Sequence, residues 1–200
     1  MINSHTETVS QVSFLDKLRL STSPLHKQLE SVPLSQVIVS PEITAQKYAE
    51  YLLVMEAVVR DVETKVYPVI SNFISDIDQR KKLNLIQDDL KVLGFSVLNG
   101  NTAFDGDFEI PFALGIVYVL EGSALGGRVI LKNIEKQLGF NAEHGARYFS
   151  GYKENTGSLW KNFLSEMIQY EQQYSCGDAI IEGANFAFGA IYKHFEGFKR

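Results

Sequence analysis

Cysteine is nearly absent from this sequence, since Cys176 is the only one among 200 residues. No disulfide can therefore form within the chain, and a zinc site built from cysteines is excluded. The four histidines lie far apart in the sequence, so a site with several of them would need convergence of distant segments. The first residues lack the basic flank and the apolar stretch of a secretory signal, so we expect a cytoplasmic protein.

Basic charge is also scarce, with 19 lysines and arginines against 24 acidic residues and a formal net charge of −5. Because no local run of basic residues compensates, nucleic-acid binding is not predicted. Apolar residues make up 45% of the chain and charged residues 22%, which is typical of a folded globular protein. We expect one domain over residues 1–200, with residues 1–10 as a flexible tail.

Long alternating runs of apolar and polar residues, which mark half-buried strands, are missing. Apolar residues instead recur at steps of three and four, as on one face of a helix. The predicted helical segments are 18–32, 40–67, 83–93, 112–138, 159–170 and 179–195. Ser40 and Pro41 are suited to the start of the second segment, and Gly94 to the end of the third. The sequence predicts a single all-α domain of six to eight helices.

The segment 112–138 is strongly apolar, and we expect either one buried helix or a broken pair of helices. Glu121 and Arg128 within it argue against a membrane span. Gly122, Gly126 and Gly127 each cost roughly 1 kcal/mol relative to alanine inside a helix, so something must approach this backbone closely. Close helix packing is one explanation, and a flat ligand against bare backbone is the other. The adjacent pair favours the ligand and predicts a bend.

His26 lies beside an apolar stripe of the first helix, and Glu30 follows one turn later on the same face. This carboxylate could accept a hydrogen bond from the imidazole Nδ1 and leave Nε2 for a metal. Arg19 is about two turns earlier on that face. Pro24 predicts a kink or a restart of the helix just before His26. The alternative is a half-buried histidine with an incidental acid nearby.

Other sequence motifs fail on inspection. The segment Gly122–Val129 approaches a phosphate-binding loop, but arginine replaces the required lysine and valine the hydroxyl residue. Ser123 is not a nucleophile elbow, because Glu121 takes the place of the first glycine. No histidine follows a glutamate by three residues, which excludes a di-iron bundle. Cys176 is expected to be a small buried hydrophobe.

Three blocks of this sequence resemble the heme oxygenase family, in particular its bacterial biliverdin-producing branch. The first block comprises Leu18-Arg19, Thr22, Leu25-His26 and Leu29-Glu30. The second runs from Tyr118 to Arg128, and its glycine pattern is the specific one. The third comprises Tyr148-Phe149, Gly157, Trp160-Lys161 and Phe163. The blocks come in the family's order and span nearly the whole chain.

The resemblance implies a multi-helix bundle in which heme, both cofactor and substrate, lies between a proximal helix and a kinked, glycine-rich distal helix. His26 would then be the iron ligand through Nε2, with Glu30 as its partner. The distal backbone contact would come from the three glycines Gly122, Gly126 and Gly127.

The same resemblance assigns roles to four further side chains. Arg19 and Lys161 match basic positions directed at the heme propionates, and Tyr118 matches a position near the distal pocket. Ser123 stands where mammalian members have an aspartate that organises distal water. A serine hydroxyl cannot act as a fixed negative acceptor, so proton delivery would use a different network.

The activity implied by the resemblance is the oxidative cleavage of heme to biliverdin, carbon monoxide and ferrous iron. Gly122, Ser123 and Gly126 would form the catalytic distal wall. Because no nicotinamide or flavin motif is present, electrons would come from a ferredoxin or a flavoprotein reductase. A bacterial phytochrome is a candidate acceptor of the biliverdin.

Three alternatives stay open at this stage. The first is a non-catalytic heme-binding or heme-sensing protein on the same scaffold. The second is a helical hydrolase of the thiaminase type, for which Cys176 would have to be the nucleophile. The third is a pure interaction module, which gives no reason for neighbouring glycines in the most buried helix.

Overall fold

The computed structural model describes residues 13–97 and 101–198, so the predicted tail at 1–10 lies outside the described residues. Within these ranges the chain forms eight α-helices and no strand, which confirms the all-α prediction. The helices are α1 (Phe14–Glu30), α2 (Pro33–Val37), α3 (Ala45–Asp61), α4 (Tyr67–Ile70), α5 (Leu83–Val92), α6 (Ile110–Leu138), α7 (Thr156–Tyr174) and α8 (Gly177–Gly197). A π-helical turn over Val62–Val66 joins α3 to α4.

The centre of the bundle is the crossing of α6 with α8, and α1 also packs against α8. The two backbones touch at this crossing. A Cβ on Gly115 would lie 2.1 Å from the carbonyl oxygen of Ile180, and one on Gly183 would lie 2.0 Å from that of Phe112. Because real Cβ atoms do not approach backbone so closely, glycine is required at both positions.

Helix α6 is long and apolar enough to cross a membrane, and it is the one helix of the described ranges with this property. In the structure it is the core helix of the bundle. Its Glu121 is 1% exposed and lies 2.5 Å from Nη1 of Arg80, an ion pair formed inside the protein. Buried apolar residues on several faces of α6 account for its hydropathy.

Several helix boundaries and breaks differ from the sequence-based expectations. The segment predicted to begin at Ser40 begins at Ala45, because the Thr44 side chain accepts from the amide of Lys47, while Ser40 caps a turn before it. Of the kink or restart predicted at Pro24, the restart is wrong, since α1 continues through this residue, and the kink stays a prediction. The predicted helix end at Gly94 is confirmed, as this residue has φ +77° just after α5.

Candidate functional site

A cavity of about 950 Å3 lies between α1, α6 and α8, with further walls from α3, α7 and the segment 148–151. Eight of the nine site residues predicted from the sequence line it: Arg19, His26, Glu30, Tyr118, Gly122, Ser123, Gly126 and Gly127. Lys161 does not, because it is exposed on α7 next to the lining residue Trp160. Its contact with a ligand carboxylate stays a prediction.

Helix α1 brings His26 and Glu30 to one wall of the cavity. The helix is capped by Ser13 and buries Leu18 on its inner face, which turns His26 toward the pocket rim. Nδ1 of His26 lies 3.5 Å from Oε2 of Glu30, so this nitrogen faces the carboxylate, and the predicted hydrogen bond between them stays a prediction. The imidazole is 55% exposed, and its other side meets the ring of Phe188 edge-on at 5.5 Å. A ligand in the cavity can therefore reach this histidine.

The glycines of α6 form another wall of the cavity, and their surroundings differ. A Cβ on Gly126 would meet nothing within 4 Å, and one on Gly122 would lie 3.6 Å from the indole of Trp160. Neither glycine touches a neighbouring backbone, so helix packing is the wrong explanation for these two. Gly127 is buried and would place a Cβ 3.1 Å from the carbonyl oxygen of Phe149. Gly126 leaves bare main chain beside open space, and Gly122 leaves it beside the indole of Trp160.

The glycine pair does not interrupt the helix. Residues 110–138 form one uninterrupted α-helix through Gly126 and Gly127, so of the two predicted alternatives the single helix is confirmed and the broken pair is wrong. The predicted bend at this point stays a prediction. The bare stretch of backbone is thus held in regular helical geometry, which gives it a defined position in the cavity wall.

Ser123 lies on the same wall, and its hydroxyl is engaged within its own helix. Oγ donates a hydrogen bond of 2.7 Å to the carbonyl oxygen of Leu120. With its proton used in this way, the hydroxyl offers only its lone pairs to a neighbour. Ser123 can therefore accept a hydrogen bond from a water or a ligand in the cavity.

Arg19 and Tyr118 come together although they are 99 positions apart in the chain, and both line the cavity. Burial raises the pKa of the Tyr118 phenol, and the charge and hydrogen bonding of Arg19 act against this rise. The pair thus forms a cationic, hydrogen-bonding corner at the pocket. Such a corner suits a ligand carboxylate.

The charged network behind α6 was not predicted. Arg80 is fully buried, and its guanidinium donates to Glu121, to Asp76 at 2.6 Å and to the carbonyl oxygen of Leu159 at 2.9 Å. Tyr152 donates to the remaining oxygen of Glu121 at 2.6 Å. Burial, together with the negative charge of Glu121, raises the pKa of Tyr152, which keeps this phenol protonated. The presence of Glu121 in the apolar helix α6 indicates that it has a partner of opposite charge, but the sequence does not indicate that this partner is Arg80.

Sequence reasoning also missed part of the lining itself. The cavity is also lined by Lys82, Tyr148, Phe149, Trp160 and Phe188. Tyr148, Phe149 and Trp160 belong to the third block of the resemblance, whereas Lys82 and Phe188 belong to no block. Lys82 follows Arg80 and Lys81 in an ordinary basic stretch, which carried no signal for a buried lysine. Only its packing distinguishes it from Lys81, which is exposed.

Cys176 lies at the junction of α7 and α8 and is not among the cavity-lining residues. Burial raises the pKa of its thiol, with Glu171 adding to the effect. A nucleophilic cysteine needs the opposite shift. The thiaminase-type alternative therefore loses its required residue.

No group of three or more His, Cys, Asp or Glu side chains among residues 13–97 and 101–198 is arranged to hold a metal ion. A metal bound at His26 must therefore bring its other ligands with it, as the iron of a porphyrin does. The donor set of the cavity fits such a prosthetic group better than a bare ion.

Comparison with known proteins gives matches to heme oxygenases. The heme oxygenase family model matches residues 106–197, which contain the glycine segment. The chain is 26% identical over 170 residues to a heme oxygenase of Xanthomonas campestris pv. campestris (81% of this chain, 94% of that protein). It is 24% identical over 174 residues to the heme oxygenase PigA of Pseudomonas aeruginosa, covering 86% of each.

The fold is likewise similar to a solved structure. The NO- and CO-bound heme oxygenase of Neisseria meningitidis superimposes with a TM-score of 0.74 over 93% of this chain and 94% of that one, at 23% identity. In its helical architecture and its glycine-bearing α6, the chain is thus similar to heme oxygenases.

Proposed function

We propose that this protein binds heme in the cavity between α1 and α6 and cleaves it oxidatively to biliverdin, carbon monoxide and ferrous iron. The observation that carries the proposal is that His26 and the bare backbone of Gly122 and Gly126 line one cavity. A half-exposed imidazole supplies an axial nitrogen. The absence of side chains on the glycine wall leaves room for a flat ligand and a diatomic molecule.

The cavity fits heme in size and in chemistry. Its volume of about 950 Å3 is at the upper end of the range for small-molecule pockets, roughly 300–1,000 Å3. Aromatic side chains such as Phe149, Trp160 and Phe188 line it, as suits a porphyrin ring. Open space at Gly126 is where a Cβ would otherwise intrude. When bound, heme supplies the iron that activates oxygen and the ring that is oxidised.

The residues of this chain would hold and orient that group. Glu30 faces Nδ1 of His26 and would fix the tautomer that presents Nε2. Gly126 would keep its side of the ligand against main chain and exclude bulk water. Ser123 would accept a hydrogen bond from a water near the reacting oxygen, since its own proton is held by Leu120.

Electron supply and product release need partners outside this chain. The sequence contains no nicotinamide or flavin motif, so we assign the electrons to a ferredoxin or a flavoprotein reductase. A bacterial phytochrome is the proposed acceptor of biliverdin. Both partners would place the reaction in the cytoplasm.

The activity is tested by loading the protein with hemin under anaerobic conditions, then adding reductant and air. We expect the Soret absorption to bleach and a bilin to appear, identified by its spectrum and mass. A spectrum that returns to ferric heme with no bilin would contradict the enzyme. It would instead support a non-catalytic heme-binding protein on the same scaffold.

The axial role of His26 is tested with His26→Ala. We expect loss of the axial nitrogen signal in electron paramagnetic resonance and a turnover reduced by at least about 100-fold, because a metal ligand matters more than its supporting groups. Added imidazole should restore part of the turnover. His144→Ala is the matched control, because His144 is exposed in a turn and does not line the cavity. An unchanged heme spectrum in His26→Ala would move the ligand elsewhere.

A further inference from the structure

Helix α7 carries a stripe of aromatic and sulfur-containing side chains that starts in the cavity wall and ends at the protein surface. Its members recur at steps of three and four, so they share one face of the helix: Trp160, Phe163, Met167, Tyr170 and Tyr174. Each step along the helix axis is about 4.5 or 6 Å. We call these five residues the α7 stripe. The proposed function uses only Trp160, as a lining residue of the cavity.

The inner end of the α7 stripe is Trp160, the only tryptophan in the sequence. Its side chain lines the cavity, and a Cβ on Gly122 would lie 3.6 Å from its indole. The ring of Phe163 stacks on the indole, with the centroids 6.1 Å apart and the planes 24° apart. A ligand in the cavity is therefore next to an indole, one of the side chains that most readily lose a single electron.

The middle of the α7 stripe is packed inside the bundle. Phe163 and Met167 are fully buried in the hydrophobic core, and Trp160 and Tyr170 pack against the same core. The guanidinium carbon of Arg80 lies 5.6 Å from the centroid of the Phe163 ring, and its positive charge disfavours removal of an electron from that ring. Phe163 and Met167 thus fill the space between Trp160 and Tyr170 with polarisable groups that are not themselves oxidised.

The outer end of the α7 stripe leaves the core, so burial no longer explains its aromatic residues. Tyr174 is 51% exposed, and its ring centroid lies 4.5 Å from that of Tyr170. Phe73, which is also exposed, packs edge-on against Tyr170 at 5.0 Å. Because Tyr174 is open to water, its phenol can release a proton to the solvent when it loses an electron.

Tyr118 is a second phenol beside Trp160, with 5.5 Å between the ring centroids, but it is unsuited to the same role. Its partner Arg19 donates hydrogen bonds and cannot accept a proton, and burial raises the pKa of the Tyr118 phenol. A phenol that cannot release its proton is difficult to oxidise. The α7 stripe therefore offers an electron the easier path between the cavity and the surface.

We propose that the α7 stripe conducts electrons from the surface to the cavity and gives the heme-loaded protein a second activity, the hydroperoxide-dependent oxidation of phenols at Tyr174. This inference rests on the proposed function, because the heme in the cavity is the group on which the hydroperoxide is reduced. The substrates at the surface are phenols that need not enter the cavity.

The electrons and protons of this activity balance. An alkyl hydroperoxide takes up two electrons and two solvent protons, and its O–O bond breaks to give an alcohol and water. Each electron leaves Trp160 and is replaced through Tyr170 by one from Tyr174, whose phenol proton goes to water. A phenol in solution restores Tyr174 by giving it one electron and one proton. Two phenols thus become two phenoxyl radicals for each hydroperoxide reduced.

The test locates the oxidised residue in the chain instead of measuring turnover. Protein loaded with hemin, as verified by its Soret absorption, is mixed anaerobically with ethyl hydroperoxide and a nitroso spin trap, and labelled peptides are identified by mass spectrometry. The ethyl group blocks the terminal oxygen, which keeps ring oxidation out of the experiment. For the unmodified protein we expect the label on Tyr174. In Trp160→Phe we expect this label to be lost although hydroperoxide is still present.

Variants at the outer end make the result specific to the path. Tyr174→Phe should move the label to Tyr170 and abolish oxidation of a phenol linked to dextran, which is too large for the cavity. Its formation of biliverdin with reductant and air should be unchanged, because Tyr174 does not line the cavity. Tyr192→Phe is the matched control and should keep the Tyr174 label, because Tyr192 lies on α8, outside the α7 stripe and the cavity lining.

Two results would overturn the inference. One is an undiminished Tyr174 label in Trp160→Phe, or in Tyr170→Phe if the former binds no hemin, and the other is an unlabelled Tyr174 in the loaded, unmodified protein. A labelled Tyr174 in a protein that forms no bilin in the aerobic assay would contradict heme cleavage but support the electron path. If the unmodified protein binds no hemin, the proposed function and this inference both fail.

Discussion

Gly115 and Gly126 lie about three turns apart on α6, and a side chain added to each would meet opposite surroundings. At Gly115 a Cβ would lie 2.1 Å from the backbone of α8, whereas at Gly126 it would meet nothing within 4 Å. The first glycine lets two helices touch. The second leaves part of a cavity open. The same residue type in one helix therefore serves packing near one end and leaves open space for the proposed ligand in the middle.

The comparison also shows why a count of glycines cannot assign function. Gly122, Gly126 and Gly127 form one motif in the sequence, yet Gly127 contacts the backbone of Phe149 while the other two do not touch backbone. Gly115 and Gly183 belong to no motif, yet among the described glycines an added Cβ would come closest to a neighbouring backbone at these two. Alanine substitutions can separate the glycines that contact backbone from those that line the cavity. Substitution of the first kind should change the stability, and substitution of the second kind should change ligand binding.

The largest effect on stability is expected at the α6–α8 crossing. In Gly183→Ala the new Cβ would lie 2.0 Å from the carbonyl oxygen of Phe112, so the helices must move apart. We expect a loss of about 2 kcal/mol or more in the free energy of unfolding, measured by urea denaturation. Gly189→Ala on the same helix has nothing within 4 Å and should gain about 0.5–1 kcal/mol. If Gly183→Ala and Gly189→Ala changed the free energy of unfolding equally, the distinction between packed and open glycine positions would be wrong.

The next effect is on binding, at the cavity wall. Gly126→Ala should stabilise the apoprotein by up to about 1 kcal/mol, because alanine is the better helix former and its methyl group meets no protein atom. That methyl group would occupy ligand space, so we expect about tenfold weaker binding of zinc protoporphyrin IX, measured by fluorescence titration. Unimpaired porphyrin binding with this variant would show that the ligand does not reach Gly126.

The smallest effect is expected at Gly127, which is intermediate between the two classes. A Cβ there would lie 3.1 Å from the carbonyl oxygen of Phe149, so the segment 148–151 must shift by a few tenths of an ångström. We expect Gly127→Ala to cost about 1 kcal/mol in the free energy of unfolding. A cost as large as that of Gly183→Ala would mean that this contact is as rigid as the helix crossing.

Much of the fold and site was predictable because its signals are local. The spacing of His26 and Glu30 within one helix brings their side chains together, and the structure shows Nδ1 facing the carboxylate. The penalty for glycine inside a helix pointed to Gly122 and Gly126 without knowledge of what surrounds them. The helix stop at Gly94 followed in the same way from the conformational freedom of that residue.

Other features were not predictable because several segments compete or meet. Ser40 and Thr44 are both good caps, and the path of the chain into α3 decided for Thr44. Proline inside a helix usually kinks or breaks it, yet α1 continues through Pro24 while it is packed against α8. Such choices depend on contacts made far along the chain.

By itself the sequence determined where the long helices lie, which of them bears His26 and where side chains are missing from α6, because these properties follow from periodicity and residue chemistry within a few turns. The tertiary structure alone decided that Arg80 pairs with Glu121 across 41 positions and that Lys82, but not Lys81 or Lys161, is in the cavity wall. The physical reason is burial. A charge separated from water must find its partner wherever the packed chain brings one, and no local pattern records where that is.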